Sequence, residues 1–210
     1  MVTVMMMLAI AGIAYLLGSF PTGYLLGRLW GVDVLQWGSG RTGGTNVLRS
    51  AGVVPAVITG VLDFGKGALA VWLAGQIAPE AHQATAQVLA GVAVILGHNY
   101  SVFLRFRGGA GVGTSLGVLS VIYWPAAVLL LVLLLLIIAA THYASLGSMI
   151  VTTLMPVLLF ALAVTGILSL TYVGYGLVAW VIIIYAHRSN IRRLIEGTER
   201  RIGESGTPRA

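Results

Sequence analysis

A chain of 210 residues that is 58% hydrophobic and 9% charged cannot clothe a water-soluble globule, since soluble domains carry about 25% charged residues; the same composition excludes disorder. Its net charge of +6 does not mark a nucleic-acid binder, because the cations stand singly between apolar blocks until Arg188. The absence of cysteine excludes disulfides, iron–sulfur clusters and thiolate metal sites, and a polytopic, all-α membrane protein remains.

A spanning helix needs about 20 apolar residues to cross about 30 Å of hydrocarbon. Six blocks qualify in chain order: residues 4–26, 53–77, 84–104, 112–140, 143–164 and 168–185. No basic stretch precedes the first and no small-residue cleavage site follows it, so it is expected to be a retained span rather than a signal peptide. Arg28, Arg41 and Arg49 follow the first block, Arg105 and Arg107 the third, and Arg188, Arg192, Arg193, Arg200, Arg201 and Arg209 the last. The linkers at 78–83 and 165–166 carry no cation. Cationic segments stay in the cytoplasm, so the N-terminus is expected outside and the C-terminus inside. That parity needs an odd number of crossings, and one block must be split. The block at 112–140 would make a helix of about 43 Å and holds Pro125 beside Trp124, so a break there is predicted. The expectation is seven transmembrane helices in a membrane-embedded domain at 1–187. A basic cytoplasmic tail at 188–210 follows, with an interfacial amphipathic helix near 191–201 and frayed residues at 203–210.

Polar chemistry concentrates on the cytoplasmic face. Residues 38–49 read GSGRTGGTNVLR; glycines let backbone N–H groups turn toward an anion, and Arg41 and Arg49 add charge-assisted hydrogen bonds to phosphate. The spacing fits neither a P-loop nor a dinucleotide fingerprint. Residues 97–114 read GHNYSVFLRFRGGAGVGT, bringing His98, Arg105, Arg107, Gly108 and Gly109 to the N-terminus of the following helix, where free N–H groups favour anions. Asp63 and Lys66 lie three residues apart on one helix face and predict a structural ion pair. Ser145 and Ser148 stand where they would cap the next helix, and His187, Arg188 and Asn190 close the last span. No histidine is followed five residues later by aspartate, and neither a carboxylate cluster for a divalent ion nor a nucleophile elbow is present. Such a site suits a reaction with a good leaving group that depends on anion binding more than on a strong base.

The ordered motifs resemble those of the bacterial integral-membrane glycerol-3-phosphate acyltransferases that use acyl-phosphate as donor. Residues 18–23, GSFPTG, resemble a GSIP-type opening; GSGRTGGTNVLR is similar to GSGNxGATNxxR; Leu62–Asp63 with Lys66–Gly67 match LDxxKG; residues 97–114 are similar to GHxxPVFLxFKGGKGVAT; residues 145–148 resemble SLAS, and 187–199 resemble HRxNIxRLxxGxE. The resemblance covers almost the whole chain. It implies a seven-helix fold in a bacterial inner membrane and a site facing the cytoplasm. It further implies transfer of an acyl group from acyl-phosphate to the sn-1 hydroxyl of glycerol-3-phosphate, giving lysophosphatidic acid and inorganic phosphate. Ser39, Thr45, Asn46 and Arg49 would line the substrate pocket, with Ser145, His187 and Asn190 completing it. Ser39, His187 and Asn190 are the expected catalytic residues; His187 is the protein's alternative base if a substrate phosphate does not accept the proton. Partners would be the two substrates, membrane lipids and, functionally, an enzyme that forms acyl-phosphate. No cofactor, metal or nucleic acid is expected. Ala110 replaces the second lysine of the FKGGKG motif, and Arg105, where glycine is common, is the expected compensating cation; His142 and Ser101 are further departures. The alternatives are a non-catalytic or substrate-altered lipid-binding relative, or a small-organophosphate transporter. Inverted repeats would mark the transporter, and none is visible.

Overall fold

The structure, a computed structural model, describes residues 1–204; Arg209 and most of the expected frayed segment lie outside the described residues. Among those described, every long element is an α-helix: α1 (Val2–Ser19), α2 (Thr22–Leu29), α3 (Gly44–Ala51), α4 (Val53–Ile77), α5 (Gln83–Asn99), α6 (Val112–Thr141), α7 (Ala144–Val164), α8 (Thr171–Ala186) and α9 (Arg188–Ile195). Four stretches are long and apolar enough to cross a bilayer: Val2–Leu29, Val53–Ile77, Val112–Thr141 and Ala144–Val164. The helices α5 and α8 are apolar but shorter, at 17 and 16 residues.

Two sequence expectations change in the first quarter of the chain. The block at 4–26 is two helices, because Phe20 leaves helical geometry (φ −57°, ψ 117°) ahead of Pro21, whose ring disfavours the α conformation in the preceding residue. The glycine-rich segment at 38–49 is a loop only as far as Gly43, after which α3 begins.

The predicted break in the fourth block is present. Tyr123 is extended (φ −159°, ψ 95°) within α6. Pro125, two residues on, has no N–H for the carbonyl of Val121, and its ring crowds that carbonyl. A straight helix of 30 residues would separate its ends by about 45 Å. Instead Gly111 and Val112 at one end, and Ala144 and Ser145 just beyond the other, line the same cavity. The chain therefore folds back at Tyr123.

Helices in lipid gain little from apolar burial against one another, so they associate where small residues let backbones approach. Two reciprocal glycine pairs do this here. Gly18 of α1 faces the Val94 backbone of α5, while Gly97 of α5 faces the Tyr15 carbonyl of α1. In the same manner Gly67 of α4 meets the Thr114 carbonyl of α6, and Gly117 of α6 meets the Phe64 carbonyl of α4. Outward faces stay apolar: Val57, Trp72, Leu136, Val157, Phe160 and Val181 are all exposed, as a lipid-facing surface requires.

The expected tail helix is shifted and shorter, ending at Ile195. Beyond Gly197 (φ +69°) the chain turns back over the bundle. Glu199 is buried, and the Ile202 N–H donates to the His142 carbonyl at 2.7 Å.

Candidate active site

The first glycine-rich segment is shaped by one carboxamide. Asn46 accepts a hydrogen bond from the Ser39 N–H at 2.9 Å, and its Nδ2 donates to the carbonyls of Val34 and Arg41, both at 2.9 Å. Gly38 and Gly40 adopt φ of +53° and +67°, a region L side chains rarely enter, and a Cβ on Gly38 would collide with Asn46 Oδ1. Asn46 is thereby a positioning residue: its polar atoms hold the loop rather than reach outward.

That loop forms one wall of a cavity of about 160 Å³, lined here by Ser39, Arg41, Thr45, Asn46 and Arg49. Opposite are Asp63 of α4, His98 of α5, Ala110–Gly113 at the mouth of α6, Ser145 and Ser148 of α7, and His187, Asn190 and Glu199 from the end of α8 onward. Segments separated by up to 160 residues thus meet at one point.

Both carboxylates in this wall are already engaged. Asp63 accepts from Thr22 Oγ1 at 2.5 Å and pairs with Lys66 at 2.9 Å, the expected ion pair, with His98 Nδ1 at 3.5 Å. Glu199 accepts from Ser145 Oγ (2.9 Å), Asn190 Nδ2 (2.8 Å) and Arg193 Nε (2.7 Å). Ser145 therefore does not cap α7, which has no side-chain cap; its hydroxyl is turned to Glu199. Sequence reading passed over Glu199 as a site residue, although its place as the acid ending the 187–199 motif was the available signal.

The cations are left short of negative charge. Among the described residues Arg41 and Arg49 form no ion pair with a carboxylate. Arg41 donates to Asn190 Oδ1 at 3.2 Å and to the Ala186 carbonyl. Arg49 donates to the Arg200 carbonyl at 3.0 Å, while its Nε is buried without a partner. Burial, then the charges of Arg193 and Arg188, pull Arg41 below its ordinary value of 12.5; burial and then Arg200 do the same to Arg49. Because guanidinium stays protonated in proteins, the direction describes a pocket that favours an incoming anion.

His187 lies at the same cavity, at the junction of α8 and α9. Its Nδ1 is 2.8 Å from the Ile183 carbonyl, an atom that can only accept, so Nδ1 carries the proton and Nε2 keeps its lone pair when the ring is neutral. Burial lowers its pKa from the ordinary 6.5, against the Ile183 hydrogen bond, and Arg41 lowers it further. The neutral, base-competent form is favoured. Among the described residues no three His, Asp or Glu side chains are grouped so as to hold a metal ion.

A family model described as glycerol-3-phosphate acyltransferase matches residues 8–197. The chain belongs to the glycerol-3-phosphate acyltransferase family. It is 43% identical over 200 residues to the glycerol-3-phosphate acyltransferase of Synechococcus sp. (strain CC9902), covering 95% of this chain and 96% of that one. It is 40% identical over 199 residues to that of Carboxydothermus hydrogenoformans, covering 94% and 97%. A crystal structure of PlsY (YgiH), an integral membrane glycerol 3-phosphate acyltransferase in its glycerol 3-phosphate form, superposes with a TM-score of 0.85 at 36% identity over 94% of this chain and 96% of that one. Its lysophosphatidic acid form gives 0.82 at 35% identity over 94% and 95%.

Part of the second glycine-arginine segment of this acyltransferase-family chain faces elsewhere. Arg107, Gly108 and Gly109 line a neighbouring open recess with Arg188 and Tyr100, and Arg41 borders both spaces. Gly109 packs on the His98 ring, so His98 reaches the main cavity with its ring already held by Asp63 and this contact. Arg105 lines neither space. It is exposed, with Arg105 and Phe106 at φ of +53° and +61°, in a tight turn closed by Ser101: its N–H donates to the Arg107 carbonyl at 3.2 Å and its carbonyl accepts from the Phe106 N–H at 2.8 Å. The turn directs Arg105 away from the cavity, so the expected compensation for Ala110 does not come from there.

Proposed function

We propose that the protein transfers an acyl group from acyl-phosphate to the sn-1 hydroxyl of glycerol-3-phosphate, yielding lysophosphatidic acid and inorganic phosphate. The observation that carries this reading is the pairing, in one cavity, of two guanidinium groups that have no carboxylate partner among the described residues and a buried histidine whose Nδ1 is engaged by the Ile183 carbonyl. Arg41 and Arg49 hold phosphate oxygens; Ser39 and Thr45 add hydroxyls beside them. The sn-1 oxygen attacks the acyl carbonyl carbon, a new C–O bond forms, and the bond to the phosphate oxygen breaks with its electron pair leaving on phosphate. The hydroxyl proton passes to a substrate phosphate oxygen or to His187 Nε2. Asn190, held between Arg41 and Glu199, fixes the guanidinium beside the reacting groups. The chemistry asks for no cofactor.

In this reading the chain crosses a bacterial inner membrane seven times, α6 contributing two crossings, one on each side of Tyr123. The N-terminus lies outside, and the cavity opens to the cytoplasm, where glycerol-3-phosphate is soluble. The acyl donor comes from an enzyme that forms acyl-phosphate. The test is release of inorganic phosphate from palmitoyl-phosphate by purified protein. Release that depends on glycerol-3-phosphate, with lysophosphatidic acid formed in equal amount, is expected; folded protein releasing none with both substrates near millimolar overturns the reading.

A further inference from the structure

Of the positions at which this chain departs from the family pattern, two that exchange a charge are brought by the structure to one cavity. Where the pattern reads GSGN, position 41 is arginine; where it reads GGKG, position 110 is alanine. Both residues line the same space, although 69 residues separate them. We infer that Arg41 supplies to the cavity the cation that the pattern carries at position 110, reaching the bound phosphate from the loop before α3 instead of from the mouth of α6. This deepens the acyl-transfer reading and rests on it for the identity of the phosphate, a phosphomonoester or an acyl-phosphate.

Three observations carry the inference. The charge balance is preserved: a neutral amide becomes a cation at 41 as a cation becomes a methyl group at 110. The competing replacement, Arg105, is exposed and lines neither space. Finally, Arg41 is anchored but not exhausted. A guanidinium has five N–H donors; one goes to Asn190 Oδ1 and one to the Ala186 carbonyl. The rest have no protein acceptor among the described residues, and no carboxylate pairs with the charge. A lysine presents a compact point charge on a flexible stem, whereas a guanidinium fixed at two nitrogens offers a planar, preset fork. The swap trades a mobile cation for a rigid one.

A purely structural reading makes Arg41 a strap between the loop and the α8–α9 junction. Reciprocal substitution separates the two, because a lysine at 110 replaces charge and not the strap. Inorganic phosphate and glycerol-3-phosphate binding are measured by titration on the full chain for the parent, R41N, A110K and R41N/A110K, alongside KM and kcat. R41N is expected to weaken phosphate binding and raise KM roughly tenfold to a hundredfold, the loss of a charged hydrogen bond, with A110K restoring both most of the way. R41N/A110K as weak as R41N, with both eluting and melting like the parent, overturns the inference; so does R41N binding phosphate as the parent does. If R41N fails to fold, R41Q, which keeps an N–H donor for the anchors without the charge, takes its place with the same outcomes. A parent that binds phosphate through Arg41 but never releases it from palmitoyl-phosphate sinks acyl transfer while leaving the relocated cation standing.

Discussion

Ser145 Oγ donates to Glu199 Oε1 at 2.9 Å, tying the start of α7 to a residue 54 positions later. The same carboxylate holds Asn190 and Arg193, so one buried acid locks together α7, α9 and the segment beyond. It also leaves Arg41 its neighbour Asn190 in a fixed orientation. The cavity is therefore built as much by this acid as by the cations that line it.

Removing that acid tests the arrangement. Breaking a buried ion pair by deleting one partner costs about 3–5 kcal/mol, and Glu199 is 8% exposed although Arg193 is partly open to solvent, which lowers the figure. Glu199→Ala is expected to destabilise the protein by about 2–4 kcal/mol and to cut turnover at least tenfold. Thermal melts in detergent and phosphate-release rates check it. Glu199→Gln, which keeps an acceptor, should retain more of both.

Asn46→Ala removes three hydrogen bonds at once. At about 1 kcal/mol net each, a loss near 3 kcal/mol in stability is expected, together with a raised KM, because the Ser39 backbone and Arg41 carbonyl lose their common anchor. Asn46→Asp keeps the acceptor but sets a buried carboxylate oxygen against the carbonyls of Val34 and Arg41, so it is expected to cost at least as much as alanine. Parent-like KM in both variants would deny Asn46 its positioning role.

His187 predicts a pH dependence of definite sign. Its folded pKa lies below the ordinary 6.5, so the folded protein binds the proton less tightly than the unfolded chain does. Its contribution to stability is whole above about pH 6.5 and is lost as pH falls through the folded value. Turnover should follow the same course: level from neutral pH upward, falling on the acid side below 6.5. His187→Gln is expected to flatten the acid limb of the melting-temperature profile; if the parent and variant profiles run parallel between pH 5 and 8, the histidine is not the titrating group. Near-normal turnover in the variant would assign the hydroxyl proton to a substrate phosphate.

Gly117→Ala is the smallest possible change at the α4–α6 contact. The added methyl meets the Phe64 carbonyl and the Ala68 nitrogen, backbone atoms that cannot rotate aside. Overpacking of this kind costs about 1–3 kcal/mol, read as a lowered melting temperature. Gly60→Ala, where a methyl has open space on the same helix α4, is expected to be close to neutral.

Sequence reading located the apolar helices because hydropathy is a local property summed over many residues. It located the α6 break because excess length and Pro125 coincide. Pro156 shows how far such a signal reaches: it lies inside α7 without ending it, packed against Gly176 of α8, so proline alone does not decide. The division of the first block at Phe20 was missed although Pro21 beside it is a local signal; the helix α3 and the return of the tail were missed because they depend on partners 12 and 54 positions away, Asn46 on Val34 and Glu199 on Ser145. Most of the candidate residues line one cavity, because the motifs that carry them keep their order along the chain. Their division between the main cavity and the neighbouring recess was not legible in the sequence, and Arg105 was misjudged because two positive-φ residues reverse the chain where residue spacing alone suggests proximity.

The return of the tail also sets when the cavity comes into being. Glu199 and Arg200 are added to the growing chain only after every apolar block has been made, and they complete the wall beside Arg41 and Arg49. A nascent chain arrested between residues 187 and 198 already holds all of its apolar helices yet presents its two guanidinium groups in an unfinished cleft. A chain that ends there is expected to lack the Glu199 ties to Ser145, Asn190 and Arg193, so the last residues to be translated are a condition for the wall rather than an appendage to it.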